Sequence, residues 1–265
     1  MVAEFKNRNE WALILGGSAG LGLASAKKLA MHGLNIIIVH RNSRADTPQL
    51  EKEFDLIKAN EVECLSFNKD AMSVEKRNLM IDAVKAKLGT EGKIKVLIHS
   101  IAKGNLKPMV DGENPTLQND DFHVTLESMA ISLYDWTKLI FGSKLFAADA
   151  RIISFTSEGN KKAFPGYGAV SVAKAALEAI TRNIALEFAP FGIKANCIQA
   201  GVTDTVSFRA IPGHEILEKA SLHRNPFKRL TRPEDVANVV YLLCKEEAAW
   251  INGNIIIVDG GEHIN

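Results

Sequence analysis

The stretch Leu15-Gly16-Gly17-Ser18-Ala19-Gly20-Leu21-Gly22 lies between the first apolar run, residues 11–15, and a helical pattern that reaches residue 29. Glycines at such a junction let the backbone turn tightly and approach a pyrophosphate, whose charge the helix N-terminus meets. A glycine trio alone also fits an ordinary tight turn. Its place after the first strand favours a dinucleotide site, formed here by Gly16, Ser18, Gly20, Leu21 and Gly22.

Apolar runs and helical patterns alternate from this loop to the end of the chain. Helices are expected at about residues 74–88, 122–146 and 167–188, and the Thr231 to Glu234 spacing has the form of a capping box. Strands are predicted at residues 11–15, 35–39, 62–67, 94–98, 151–155, 193–198 and 255–258. Continuously apolar strands alternating with helices predict a Rossmann-type, doubly wound α/β fold, in which helices cover both faces of a seven-stranded parallel sheet. We expect a single domain over residues 1–265.

Composition narrows the function classes. Lys plus Arg number 32 and Asp plus Glu 31, and this net charge of +1 argues against nucleic acid or a membrane surface as partner. No apolar run reaches the roughly 20 residues that span a bilayer, and residues 1–11 lack the apolar core of a signal peptide. The three cysteines form no metal-binding pair or disulfide framework, and the seven histidines show no ligand spacing. We therefore expect a cytoplasmic protein with no metal site.

Residues 202–230 interrupt the alternation with a polar, irregular stretch. It is longer than an ordinary connection in a compact domain. It also contains five scattered apolar side chains: Val206, Phe208, Ile211, Ile216 and Leu217. This combination favours a lid over the substrate site.

The segment after the second strand bears on the choice of nicotinamide cofactor. NAD enzymes usually have an acidic residue there, whereas NADP enzymes have arginine near the 2′-phosphate. Here Arg41 and Arg44 occur, and no carboxylate precedes Asp46. Guanidinium groups bind phosphate in a bidentate manner, so the segment favours NADPH over NADH. The alternative is a solvated basic loop.

Tyr167 and Lys174 are seven residues apart at the start of a predicted helix, so their side chains share one face. A nearby ammonium favours the ionised form of a phenol and makes it a better donor to a developing oxyanion. Ser157 follows the fifth strand, ten residues before Tyr167. Taken alone, the same pattern also fits an interfacial tyrosine and a solvated lysine.

Nearly the whole chain resembles the short-chain dehydrogenases/reductases. The resemblance lies in residues 16–22, in the set Ser157, Tyr167 and Lys174, and in residues 200–205 and 258–261.

The position of the tyrosine resembles one branch of that family. Most members have the catalytic tyrosine four residues before the lysine, where this chain has Val170, which has no proton to donate. A tyrosine seven residues before the lysine resembles the enoyl-acyl-carrier-protein reductases, as do residues 99–102 and 131–134. Ser157, where many of these enzymes have a second tyrosine, resembles their NADPH-dependent members.

The resemblance implies a role for each matching residue. Lys174 would hold the nicotinamide ribose, Tyr167 would stabilise an enolate, and Asp70 would accept a hydrogen bond from the adenine amine. Further cofactor contacts would come from Ser100, Ile101, Val202, Thr203 and Thr205. Ser157 fits either a substrate contact or a strand-end cap. The resemblance also implies a homotetramer.

Enoyl reduction gives a physical reason for the shifted tyrosine. Hydride adds to the β-carbon, and charge appears on a thioester oxygen two bonds further along, so the donor must stand further from the nicotinamide. Moving the tyrosine three residues displaces it by about 4.5 Å along a helix. We therefore expect an NADPH-dependent enoyl-acyl-carrier-protein reductase of fatty acid biosynthesis, whose thioester arrives on a separate carrier protein. The alternatives are a carbonyl reductase acting on 3-oxoacyl or other ketones, and a catalytically silent NADP-binding regulator.

Overall fold

Seven parallel strands form one sheet in the order β3-β2-β1-β4-β5-β6-β7 in the computed structural model, which describes residues 3–265. The strands are β1 (Glu10–Leu15), β2 (Asn35–His40), β3 (Cys64–Asn68), β4 (Lys93–His99), β5 (Phe146–Thr156), β6 (Ile193–Ala200) and β7 (Ile255–Val258). The predicted fold class is confirmed.

Helices cover both faces of the sheet. They are α1 (Gly20–Met31), α2 (Thr47–Lys58), α3 (Val74–Leu88), α4 (Asn119–Leu126), α5 (Ser132–Gly142), α6 (Gly168–Glu187), α7 (Val206–Arg209), α8 (His214–Arg224) and α9 (Pro233–Cys244). One core joins the sheet to α1, α2 and α9, and the other joins it to α3, α5 and α6. In β1, Leu13 faces the second core and Ile14 the first, so the strand is apolar throughout because both of its faces are buried.

The helix predicted over residues 122–146 is shorter and interrupted. Helix α4 ends at Leu126, a π-helical turn spans Glu127–Ile131, and α5 ends at Gly142. Strand β5 then begins at Phe146, five residues before the predicted start at residue 151. The apolar pattern runs through both elements because each is buried, so periodicity alone does not separate them.

Two other local predictions need correction. The prediction has no helix between β2 and β3, where α2 lies. The capping interaction of α9 is displaced by one residue, because the Arg232 N–H, and not Thr231, meets the carboxylate of Asp235 at 2.8 Å. Thr231 instead forms an isolated bridge with Thr203.

The strand order reverses between β1 and β4, whose carboxyl ends lie side by side with Leu15 opposite His99. In open α/β sheets, ligands bind in the crevice at such a switch point. No helix among residues 3–265 combines the length and apolar character needed to cross a membrane.

Candidate active site

The glycine loop closes against the end of β4 at a distance that only glycine permits. The Gly16 N–H donates to Val39 O at 2.8 Å, and Gly16 has a φ of +79°. A Cβ on Gly16 would lie 2.4 Å from Ser100 O, and one on Gly22 would lie 2.4 Å from Gly16 O. The cap residue of α1, Ala19, makes no side-chain hydrogen bond to the first turn. The loop therefore presents backbone N–H groups beside open space, which fits an anionic pyrophosphate.

A cavity of about 450 Å³ extends from this loop along the ends of β4, β5 and β6 to residues 202–230. Most of the predicted site residues line it: Gly16, Gly20, Leu21, Ser100, Ile101, Ser157, Tyr167, Lys174, Val202, Thr203 and Thr205. Five lie outside its lining: Ser18, Gly22, Arg41, Arg44 and Asp70.

Two of the residues outside the cavity contact each other. Arg41 Nη1 lies 3.3 Å from Asp70 Oδ2, and the Arg41 side chain is largely exposed. The Met72 N–H, at 3.0 Å, is the main cause that holds the pKa of Asp70 below its usual range, and the charge of Arg41 adds to it. Arg44 begins a short 3-10 turn, Arg44–Asp46. The residues predicted for the 2′-phosphate and the adenine therefore share one exposed edge, beyond the ends of β2 and β3.

Tyr167 and Ser157 both line the cavity, and the Tyr167 hydroxyl lies 3.3 Å from Ser157 Oγ. Tyr167 caps α6 with non-helical backbone angles, and its ring packs so closely on Gly159 that a Cβ there would lie 2.4 Å from the ring. Burial raises the pKa of Tyr167, and the hydrogen bond with Ser157 offsets this only in part. The expectation that Lys174 lowers this pKa is wrong for this structure, because burial of the phenol dominates.

Lys174 is buried on the same helix two turns further along. Its Nζ donates to Phe155 O at 2.6 Å, and burial lowers its pKa to about 8. The charge of Glu178 opposes that shift. Between the two residues, Val170 packs with Met129 and Ala173 and adds only apolar surface.

A buried histidine at the end of β4 also lines the cavity. His99 Nε2 lies 2.8 Å from Ser132 Oγ, and Ser132 in turn donates to Ser128 O at 2.9 Å. Because the Ser132 hydroxyl donates its proton to Ser128 O, its oxygen accepts the hydrogen bond from His99, and His99 donates through Nε2. Burial lowers the pKa of His99 to about 3, so the ring is neutral. The contact supports the end of β4 against the π-helical turn.

Residues 202–230 form a closed loop with two helices, where the sequence predicts an irregular stretch. Both ends meet at one point, since Thr203 bridges Thr231 and the Thr231 N–H donates to Val202 O at 3.0 Å. Helices α7 and α8 lie between them, and Phe208, Ile211 and Leu217 line the cavity.

No sequence motif indicates a further group of polar residues in the cavity lining, which we call the polar wall. It consists of Glu158, Gln199, Ser221, Arg224 and Glu262. Three of the five follow or end β5, β6 and β7, so the rule that parallel sheets place sites at their carboxyl ends is the signal that could have identified them.

A family model described as "Enoyl-(Acyl carrier protein) reductase" matches residues 16–263. An enoyl-[acyl-carrier-protein] reductase [NADH] of Enterococcus faecalis is 28% identical over 261 residues, covering 98% of each chain. A 7alpha-hydroxysteroid dehydrogenase of Paraclostridium sordellii is 29% identical over 263 residues, covering 98% of this chain and 94% of the relative. A short chain dehydrogenase from Burkholderia cenocepacia, solved in complex with NADP, has the same fold, with a TM-score of 0.79 and 24% identity over 97% of this chain and all of that one.

Proposed function

The chain belongs to the enoyl-(acyl carrier protein) reductase family of the short-chain dehydrogenases/reductases, and we propose that it reduces the trans-2 double bond of enoyl-acyl-carrier-protein thioesters with NADPH. It is an oxidoreductase with an NAD(P)-binding Rossmann fold. The proposed reduction of the enoyl double bond rests on one observation. Tyr167 lines the cavity, and Val170 occupies the position where most members of the superfamily have their tyrosine.

Tyr167 suits the role of a hydrogen-bond donor. Because burial raises the pKa of its hydroxyl, the phenol stays protonated at neutral pH. It can then donate to an oxygen on which negative charge develops, which is the arrangement that stabilises an enolate most effectively in a water-poor site. Ser157, 3.3 Å away, orients that hydroxyl.

Lys174 contributes a buried amine near the tyrosine. Its hydrogen bond to Phe155 O fixes the amine at the end of β5, and a protonated amine there favours an anionic neighbour. We propose that it holds the hydroxyl groups of the nicotinamide ribose.

NADPH, when bound, supplies the hydride. The backbone of Gly16 to Gly22 and the first turn of α1 fit its pyrophosphate, and Thr205, Val202 and Thr203 border the same cavity. NADH is named for the Enterococcus relative and NADP is bound in the Burkholderia protein, so the choice of NADPH rests on Arg41 and Arg44. Asp70 would accept a hydrogen bond from the adenine amine.

We propose further that the substrate is carried by a separate protein, that residues 202–230 act as a lid, and that the protein is an oligomer. The acyl chain would arrive on a separate acyl carrier protein as part of fatty acid biosynthesis, and residues 202–230 would close over it and exclude water. We also propose a homotetramer, which light scattering coupled to size-exclusion chromatography tests.

The test is steady-state oxidation of NADPH by the purified protein with a 2-enoyl thioester, beside a 3-oxoacyl thioester of the same length and carrier. We expect turnover of the enoyl compound at least about tenfold faster, and faster with NADPH than with NADH. Turnover of only the 3-oxoacyl compound would instead establish a carbonyl reductase, the alternative that the hydroxysteroid dehydrogenase relative favours. NADPH binding without turnover of either would indicate a silent regulator.

A further inference from the structure

Three buried side chains in the cavity wall each have a polar atom without a hydrogen-bond partner. They are Gln199 Oε1, Ser221 Oγ and Glu262 Oε2. The exposed fractions of these residues are 4%, 1% and 3%, and all three line the cavity. Nearly all buried polar groups of folded proteins are hydrogen-bonded, so three exceptions on one cavity indicate that a ligand completes them.

The three residues come from different elements that line the same cavity. Gln199 lies at the end of β6, paired with Ile257 of β7, and Glu262 follows β7. Ser221 lies on α8, one turn before Arg224. Arg224 Nη2 donates to Glu262 Oε1 at 2.7 Å, which joins the helix to the segment after β7.

Ion pairs join the charged residues of this wall. Arg224 also contacts Glu158 at 3.1 Å, and Glu158 pairs with Lys162. Two carboxylates thus face two cations, while one oxygen of Glu262 stays free. The free oxygen of Glu262 favours a neutral group that donates a hydrogen bond, and the carboxylates of Glu262 and Asp259 in the cavity lining disfavour another carboxylate.

Other parts of the cavity lining are apolar. Val170 and Phe164 face the cavity from α6 and from the loop before it, and Phe208, Ile211 and Leu217 from the lid segment. Methylene groups can pack there, but an apolar chain lying against the polar wall would displace water without replacing its hydrogen bonds.

We propose that Ser221 and Glu262 form a subsite for a hydroxyl group on the acyl part of the substrate. A hydroxyl donates to Glu262 Oε2 and accepts from the Ser221 hydroxyl, so it gives both of these atoms a partner, which a methyl group cannot do. This substrate class rests on the proposed reduction of an acyl thioester and makes it more specific.

The test compares 2-enoyl thioesters of increasing length that end in a methyl, a hydroxyl or a carboxylate group. All are attached to the same carrier, so that contacts of the carrier arm cancel. At the length at which the terminal group reaches the wall, we expect kcat/KM about tenfold higher for the hydroxyl than for the methyl compound, and lowest for the carboxylate. A ratio near one at every length would overturn the subsite.

Substitutions of Ser221 and Glu262 test whether these residues cause the preference for the hydroxyl compound. Ser221→Ala and Glu262→Gln should each lower the hydroxyl-to-methyl ratio several-fold, with unchanged NADPH affinity. Ser207→Ala, which removes an exposed hydroxyl from the same cavity, is the matched control and should leave the ratio unchanged. An equal loss in the control would contradict the assignment to this wall.

Calorimetry with saturated thioesters measures binding at the subsite independently of the reaction. Saturated hydroxyacyl and acyl thioesters of equal length are titrated into the protein with NADPH present. Tighter binding of the hydroxyacyl compound without turnover of any enoyl thioester would support the subsite and contradict the proposed function. Turnover of enoyl thioesters with equal binding of both saturated compounds would contradict the subsite alone.

Discussion

At the scale of single residues, the environment of Tyr167 decides what its hydroxyl can do. The phenol is partly buried, its pKa is raised, and among residues 3–265 Ser157 is its side-chain hydrogen-bond partner. A protonated donor held in a fixed position needs little reorganisation when charge develops on a substrate oxygen.

Replacement of Tyr167 by phenylalanine removes that donor and keeps the ring that packs on Gly159. We expect kcat with a 2-enoyl thioester to fall about a hundred- to a thousand-fold, as for the loss of one oxyanion-hole donor. NADPH affinity, measured by fluorescence titration, should stay unchanged. An unchanged kcat would show that Tyr167 is not the donor.

The buried amine of Lys174 makes activity dependent on pH. Its pKa is about 8, so the fraction of charged amine falls as the pH rises through that value. We expect kcat/KM to decline above about pH 8. In Lys174→Arg, whose guanidinium keeps its proton, the decline should move beyond about pH 10. The same decline in both proteins would assign it to another group.

The lowered pKa of Lys174 also makes stability depend on pH, but here the effect is a rise with pH. Between about pH 8 and the ordinary lysine pKa of 10.5, the unfolded chain binds more protons than the folded one. The contribution of Lys174 to the free energy of unfolding therefore rises with pH in that range, which urea unfolding compared with Lys174→Met measures.

At the scale of elements, the glycine loop is the part that the sequence predicted most fully. Its position between β1 and α1 follows from local pattern, and the close approach of Gly16 to Ser100 O explains the residue type. Helix α2 had a recognisable signal too, because Leu50, Phe54 and Ile57 recur at helical spacing and are buried.

Other boundaries do not follow from local pattern. The π-helical turn Glu127–Ile131 occurs where Ser132 meets His99, a contact between residues 33 positions apart. Thr231 pairs with Thr203 instead of capping α9, and Arg232 takes the cap position. Long-range contacts decide these boundaries, and no short window contains them.

Substitution of Gly16 tests the geometry of the loop. Gly16→Ala adds a methyl group 2.4 Å from Ser100 O in a backbone conformation that alanine adopts at a cost. Gly213→Ala has a similar positive φ with nothing within 4 Å, so it isolates the backbone cost, about 1–2 kcal/mol. We expect Gly16→Ala to lower the free energy of unfolding by at least about 1 kcal/mol more than Gly213→Ala does. Equal losses in urea unfolding would contradict the close approach.

At the scale of the whole molecule, the strand order gathers residues from distant parts of the chain. Ser100, Ser157 and Thr205 follow β4, β5 and β6 and line one cavity. Motifs predicted these positions because each lies at a strand end. The polar wall, which includes Gln199, Ser221 and Glu262, is not predicted because its residues line one cavity but share no sequence motif.

Cofactor binding should stabilise the whole fold by linkage. NADPH at about a hundred times its dissociation constant adds about 2.7 kcal/mol to the free energy of unfolding. We expect a larger rise in Tm with NADPH than with NADH at equal concentration. Arg41→Ala and Arg44→Ala should reduce the difference, whereas the exposed Arg8→Ala should not. Equal rises for both cofactors in the unaltered protein would remove the role assigned to the two arginines.

The most direct measurement follows a label from the cofactor into the product. NADPH carrying deuterium at the transferred position is incubated with the protein and a 2-enoyl thioester, and the product is analysed by NMR. We expect a saturated thioester with deuterium on the β-carbon and a solvent proton on the α-carbon. Recovery of the enoyl thioester unchanged, while a 3-oxoacyl thioester gains deuterium on its carbinol carbon, would contradict it.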